Sequence, residues 1–396
     1  MVQKTPKVGI WFTATAITFF TRALMFSTWL SRGPEVKAAL HLDTAQMGLL
    51  VMVYPLGGIL GVLFASQLTN RFGTKKLTIA GYALACSAMA VLGFAVDGTN
   101  VWLAGAALLL LGLPLALIDF ISNYEGTAVD KQSRHSLLPV VHAAFGVGMM
   151  VAAGLASALA SAHQGIATNY LIVAVVAFVP SILAAFVFPN RDTAEQSPQV
   201  KKEHSKAVLR AWTEPRTLLI ALVGFSFIMV ESSAGTWMPI SLTNGGATPA
   251  AAAAALGVFW VIVTAGRAIG GWVTDRIGRH RTIGLGALLT GTGIVIFMLD
   301  SVLHLPYLAL GLWALGMANG FPLTISAMGD NPAKADARIN MVMTVVYISV
   351  ISVGPALGSV GQAFGLSIAY GIPLALMIAT VLLSNVTKRT EASIAG

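Results

Sequence analysis

Stretches of about 20 apolar residues, the length a helix needs to cross the hydrocarbon core of a bilayer, recur twelve times along the chain. They place spans at 10–31, 45–69, 77–96, 101–123, 137–160 and 168–188, then at 217–240, 251–274, 282–300, 304–328, 339–362 and 366–386. Short turns such as Asp97 to Asn100 separate most of them, and the one long polar gap, Pro189 to Arg216, divides them six and six. The pattern predicts an all-α integral membrane protein with twelve transmembrane helices in two pseudo-symmetric six-helix bundles. Residues 1–190 form the first bundle, 191–216 a linker loop and 217–396 the second bundle.

Against this apolar background the polar positions stand out. The stretch Leu113 to Asp130 starts as a spanning helix yet carries Asp119, Asn123 and Glu125. A carboxylate at mid-membrane costs about 2.5–3.5 kcal/mol on insertion scales, so it normally faces a partner or a water-filled cavity. Asp119 and Asn123 are four residues apart and share one helix face. At ~1.5 Å per residue, Arg22 lies about 18 Å from one membrane side and Asp119, if the fourth helix continues to Val129, about 15 Å from the same side, so the two can meet as an ion pair. Such a pair serves transport or simply ties helices together. Glu231 sits 14 residues into the seventh span with no basic residue of its own half evidently level with it. An acid without a partner in a low-dielectric cavity takes up a proton more readily, which suits a coupling group. His142 can carry a proton or pack as a hydrogen-bonded residue. Trp237 can offer a flat plate to a solute or anchor the helix at the interface. Tyr54, Asn123, Tyr124 and Asn319 supply further hydrogen-bonding groups, for a solute or for a neighbouring helix.

Composition narrows the class. Apolar residues make up 56% and charged residues 10%, against roughly 25% charged in soluble domains. The net charge of +8 does not point to nucleic acid, because its placement follows the membrane: 20 of the 24 Lys and Arg fall on one side, and that side is expected to be the cytoplasm, with both termini there. The first apolar run is too long for a signal-peptide core and is expected to remain as a helix. The single cysteine, Cys86, allows no intrachain disulfide and no cysteine metal cluster. No phosphate-binding loop, G-x-S-x-G or HExxH is present, so no enzyme, cofactor or metal is expected.

The halves repeat. SQLTNRFGTKK follows the second span and GWVTDRIGRHR the eighth, with Asn70 and Asp275, Arg71 and Arg276, and Gly73 and Gly278 each offset by 205 residues. The second copy, Gly271-x-x-x-Asp275-Arg276-x-Gly278-Arg279, resembles the loop signature of the major facilitator superfamily; the first lacks the aspartate. The pattern suggests a charged gate latch, with Asp275 at a helix end, glycines for the turn and arginines reaching neighbouring helix ends. WLSRGPEVKAALHLDTAQMGLL, the series Asp119, Asn123, Gly126, Asp130, Arg134 and His142, and Glu231-Ser-Ser-Ala-Gly-Thr-Trp237 are similar to the bacterial fucose-permease-like branch.

The resemblance implies a secondary transporter of the bacterial inner membrane, with the first and fourth helices lining the cavity of the first half. It also implies an acid of the fourth helix, Glu125, as a second choice for proton coupling after Glu231. The reading is a proton-coupled importer of a small polar solute, a sugar or polyol, acting as a monomer in the lipid bilayer. An exporter of amphipathic compounds and a non-transporting membrane sensor or scaffold are the alternatives. The fifth span reads HAAFGVGMMVAAG, without the proline of exporter signatures, and no loop is long enough for a sensor domain.

Overall fold

The computed structural model describes residues 6–133, 137–189 and 198–389. Arg134 and the linker residues 190–197 lie outside the described residues. Eleven helical segments among the described residues are long and apolar enough to cross a membrane. One of them, with 54 residues, holds two of the predicted spans, which gives twelve crossings. No strand occurs among the described residues. The chain divides into two compact units, Met1–Glu195 with Met238–Val258, and Gln196–Trp237 with Phe259–Gly396.

In the first unit the helices are α1 (Val8–Ser31), α2 (Gly33–Ala39), α3 (Thr44–Asp97), α4 (Val101–Gln132), α5 (Leu138–Ser161) and α6 (Ile166–Val187). Local chemistry sets their starts. Asp43 caps α3 by accepting from the Gln46 backbone N–H at 2.7 Å, while the Gln46 side chain accepts from the Asp43 N–H at 3.0 Å. This reciprocal arrangement satisfies donors that a helix end leaves open. Asn100 caps α4 through the Leu103 N–H at 3.0 Å.

Within α3 the helix breaks at Gly73, whose φ of 79° and ψ of 157° lie where residues with a Cβ rarely go. A Cβ there would meet nothing within 4 Å, so the backbone angle, not lack of space, calls for glycine. The break falls between the second and third predicted spans.

α1 packs against α4, α5 and α6, and α3 against α4 and α6. The α3 and α4 backbones come very close: a Cβ on Gly57 or Gly61 would fall 2.1 or 2.2 Å from the Leu109 or Leu113 carbonyl oxygen. With no hydrophobic drive between helices in lipid, such close backbone contact is a main source of association. Trp11, Ala65, Leu77, Ile121 and Phe188 are among the residues that fill one core of this unit.

The second unit begins with α7 (Pro198–Ala211), a helix inside the segment read as a linker, and continues into α8 (Pro215–Asn244). α9 (Pro249–Ile277) and α10 (Arg279–Met298) follow, then the short α11 (Asp300–Leu303) and the pair α12 (Pro306–Met317) and α13 (Gly320–Met328). α14 (Pro332–Phe364), α15 (Leu366–Ala369), α16 (Gly371–Leu383) and a 3-10 turn at Ser384–Thr387 complete the described chain. Gly278, the repeat partner of Gly73, separates α9 from α10 with φ 85° and ψ 151°, nearly the same backbone angles. The internal repeat is therefore visible in the backbone as well as in the letters.

The tenth predicted span, 304–328, is not one helix but two, broken at Ala318 and Asn319. The Asn319 side chain donates to the Gly266 carbonyl of α9 at 2.8 Å and occupies the space that a Cβ on Gly270 would need. Phe297, Trp313 and Tyr370 pack edge to face, with centroids 5.3–5.9 Å apart, and tie α10, α12 and the α15–α16 junction together.

Candidate functional site

The polar interior of the first unit is built on α1. Thr15, Thr18 and Thr21 recur every three residues, so they share a face, and all three are buried. The Thr21 hydroxyl lies 2.7 Å from that of Tyr82 and 2.8 Å from that of Ser181. Ser122 donates to the Thr18 hydroxyl at 2.8 Å, and Tyr82 donates to the Thr18 carbonyl at 2.9 Å. This network joins α1, α3, α4 and α6. Its residues are uncharged, so the threonine spacing is its one signal in the sequence.

One residue beyond Thr21, Arg22 reaches Asp119 of α4 at 2.8 Å. The pair is accessible, with 36% of the Asp119 side chain exposed. Asn123 donates to Asp119 Oδ1 at 3.2 Å, and the Arg22 guanidinium lies 4.5 Å from the centre of the Phe145 ring. A carboxylate, an arginine, an amide and an aromatic face therefore meet at one place. A cavity of about 570 Å³ lies along the same helix, lined by Asn123, Tyr124 and Thr127 among others. Because the pair is partly accessible, neutralising either member alone is expected to cost about 1–3 kcal/mol of stability. The charge-exchanged double variant should recover part of that loss in thermal unfolding; additive losses without recovery would show that the two charges do not support each other.

Glu125 lies six residues beyond Asp119 on α4, past the end of the predicted fourth span. α4 continues to Gln132, Glu125 is fully buried, and the Trp11 indole N–H donates to its Oε2 at 2.9 Å. His142 of α5 packs against Phe19, with ring centroids 4.8 Å apart, and Tyr54 stacks on Phe26 at 5.3 Å. Asp130 accepts from the Leu137 N–H at 2.5 Å.

The second unit corrects three expectations. Glu231 has a basic partner: Arg267 Nη2 approaches its two carboxylate oxygens at 3.2 and 3.3 Å. Arg267 Nε also donates to the Ala318 carbonyl at 3.1 Å, beside Asn319 at the break between α12 and α13. That carbonyl stands at the end of α12, where the helix's own donors run out, and Arg267 supplies the donor. Trp237, expected at the interface or against a solute, is completely buried and its indole donates to the Val353 carbonyl at 3.3 Å; it is a core residue.

The acid of the latch is also different. Asp275 is exposed and forms no ion pair among the described residues, whereas Arg279 is buried and grips Asp330 of the α13–α14 connection with two nitrogens at 2.8 and 2.5 Å. Arg279 Nε donates to the Thr387 carbonyl at 2.7 Å as well. Arg276 lies over Trp272 at 3.9 Å and Arg71 over Phe72 at 5.3 Å, while Asn70 is half-buried beside Arg71. Gly271 would accept a side chain without meeting any atom within 4 Å, so its place in the motif is not explained by packing. Among the described residues no group of three or more His, Cys, Asp or Glu is placed to hold a metal.

The family model of the Major Facilitator Superfamily matches residues 11–359. This chain belongs to the major facilitator superfamily. The transporter is 26% identical over 370 residues to an uncharacterized MFS-type transporter of Yersinia pestis, covering 93% of each chain. Its structure is similar to that of a variant of the nucleoside transporter NupG, with TM-score 0.78 and 12% identity over 95% of this chain and 99% of that one. It is also similar to the E. coli fucose:proton symporter FucP, with TM-score 0.64 and 18% identity over 96% and 98%. At these identities the structural likeness is one of fold, and it agrees with the fucose-permease-like resemblance. The transporter spans the membrane many times and is not an enzyme.

Proposed function

We propose that the chain is a secondary active transporter that imports a small polar solute, a sugar or polyol, by alternating access coupled to protons. The observation that carries this reading is the accessible Arg22–Asp119 pair, with Asn123 and Tyr124 beside it in a spanning helix. Intramembrane charge that stays accessible favours a solute or ion path over simple helix attachment. The Glu231–Arg267 pair at the helix break plays the corresponding part in the second unit, because broken helices in transporters expose backbone groups that bind solutes. The fucose-permease-like motifs of the sequence support both the sugar and the proton.

Glu125 takes the role of proton carrier first assigned to Glu231. The case for Glu231 rested on the lack of a cationic neighbour, and Arg267 removes it. Glu125 is fully buried within the first unit and accepts from the Trp11 indole, and burial disfavours the charged form of a carboxylate. We infer a monomer of the bacterial inner membrane, and the 20-of-24 charge distribution supports both termini in the cytoplasm.

The test is reconstitution in vesicles with counterflow of radiolabelled sugars and polyols, each measured with and without an imposed pH gradient. Exchange of at least one of them, driven uphill by an inward proton gradient, is the expected result. Exchange confined to amphipathic cations, or uphill movement driven only by sodium, would overturn the reading.

A further inference from the structure

A second polar cleft lies apart from the ion pairs described above, within the second unit. It encloses about 370 Å³ where α7 packs against α14, and it is lined by Lys206 and Arg210 of α7, Glu214, and Lys334 and Arg338 of α14. Four cations thus face one carboxylate. Glu214 is already taken: Lys334 reaches it at 2.8 Å, Arg338 at 2.6 Å, and Thr217 donates to it at 2.8 Å. Partial burial works against its charge, but the hydrogen bonds from Lys334, Thr217 and Arg338 prevail and bring its pKa down to about 2. The carboxylate therefore stays ionised at any physiological pH and balances only part of the positive lining. Lys206 and Arg210 are exposed, lie one turn apart on the same face, and have no ion-pair partner among the described residues.

The cleft has an apolar border. Leu209 of α7 and Trp212 just past its end follow Lys206 at three-residue spacing, so apolar side chains begin next to the cationic rim. Leu209 is 69% exposed, and Trp212 is also exposed. Leu218, Leu219 and Leu222, at the start of the spanning helix α8, are exposed too. A soluble anion has no use for these side chains. A molecule with a phosphate at one end and acyl chains at the other fits both, and helix ends of this kind lie at head-group depth.

We propose that this cleft binds the phosphate of an anionic membrane lipid, with Lys206 and Arg210 as its ligands, Lys334 and Arg338 held in place by Glu214 behind them, and the acyl chains along Leu209, Trp212 and the first turns of α8. Zwitterionic lipids present the same phosphate with a compensating cation, which the positive lining repels. The site selects by net charge, and it stands whatever solute the protein carries.

The experiment uses the full-length protein in a neutral detergent, washed free of native lipid. Phosphatidylglycerol, phosphatidylcholine or inorganic phosphate is added, and lipid retention is read by native mass spectrometry beside the thermal unfolding midpoint. Two cations near the head group should give about a thirtyfold preference for phosphatidylglycerol over phosphatidylcholine, accompanied by a higher midpoint. In the double variant Lys206→Gln/Arg210→Gln the preference should fall to near unity, while the midpoint without lipid stays that of the unmodified protein. Three results overturn the proposal: equal retention of the two lipids, undiminished preference in the double variant, or protection by inorganic phosphate equal to that by phosphatidylglycerol. The last would assign the cleft to a soluble phosphate. If the double variant proves unstable, Lys206→Gln alone is compared with Lys388→Gln, a nearby cation outside the cleft, and equal loss of preference in both would likewise overturn it.

Discussion

Replacing Asp330 by alanine is expected to lower stability by about 3–5 kcal/mol, the usual loss when one member of a buried ion pair is removed. The two side chains are almost sealed, with 3% of Arg279 and 7% of Asp330 exposed. Arg279 gives Asp330 two parallel hydrogen bonds and adds contacts to Ser326 at 3.3 Å and to the Thr387 carbonyl. Without the carboxylate the guanidinium would keep its neutral acceptors but lose its counter-charge in a place that water barely reaches. Arg216 also reaches Asp330, at 3.5 Å, and would lose that partner as well, but it is open to solvent and remains tied to the Val386 and Lys388 carbonyls at 3.0 and 2.7 Å.

The measurement is chemical or thermal unfolding in micelles. The double replacement Arg279→Met/Asp330→Leu should be markedly less harmful than either single change, since an apolar pair of similar volume avoids burying charge at all. A loss below about 1 kcal/mol in Asp330→Ala, the range of exposed pairs, would mean that the pair is open to water and does not anchor the 3-10 turn.

Glu125→Gln is expected to abolish accumulation driven by a pH gradient while leaving exchange of solute across the vesicle membrane measurable. Glutamine keeps the shape of the protonated acid and can still accept from the Trp11 indole, so the variant mimics one half of the proton cycle. Glu231→Gln should behave differently. It leaves Arg267 facing a neutral amide beside the helix break, and if that pair orders the solute site, exchange and accumulation should fall together. Measured side by side in reconstituted vesicles, normal uphill uptake by Glu125→Gln would remove this residue from the coupling step. An uncoupled phenotype in Glu231→Gln alone would return the role to the second unit.

The twelve crossings were legible because lipid leaves few alternatives: every backbone polar group must be satisfied within the segment, so long apolar runs become helices. The Arg22–Asp119 contact could be anticipated from matched depth, counted from the same membrane side, together with the family resemblance that puts the first and fourth helices on one cavity. Counting failed for Glu231 and Arg267. Residue number gives axial height but neither helix tilt nor the reach of an arginine side chain, and those decide which charges meet. The break at Asn319 had a signal that counting apolar residues does not weigh: Pro322 lacks the N–H that would bond the Ala318 carbonyl four residues back, and Asn319 and Gly320 are weak helix formers, whereas the Asn319 contact with Gly266 of α9 is visible only in the folded chain. Trp237 was misplaced because a tryptophan near the end of a span reads the same whether it faces lipid, solute or a neighbouring helix. The Arg279–Asp330 grip joins a motif residue to an acid outside any motif, so only the folded chain brings it into view.

Gly73 and Gly278 carry a mechanical consequence. Each joins two consecutive helices through a single non-helical residue, where a flexible linker of several residues would let its ends drift by many ångströms. Such a connection acts as a pinned joint and not as a cord. It leaves one residue's torsions as the freedom between neighbouring rods, so a tilt of the second span must be passed to the third, and a tilt of the eighth to the ninth. Lengthening either joint with a few glycines and serines would leave the membrane crossings intact but put slack into the stroke, and the loss would appear in turnover before it appeared in binding.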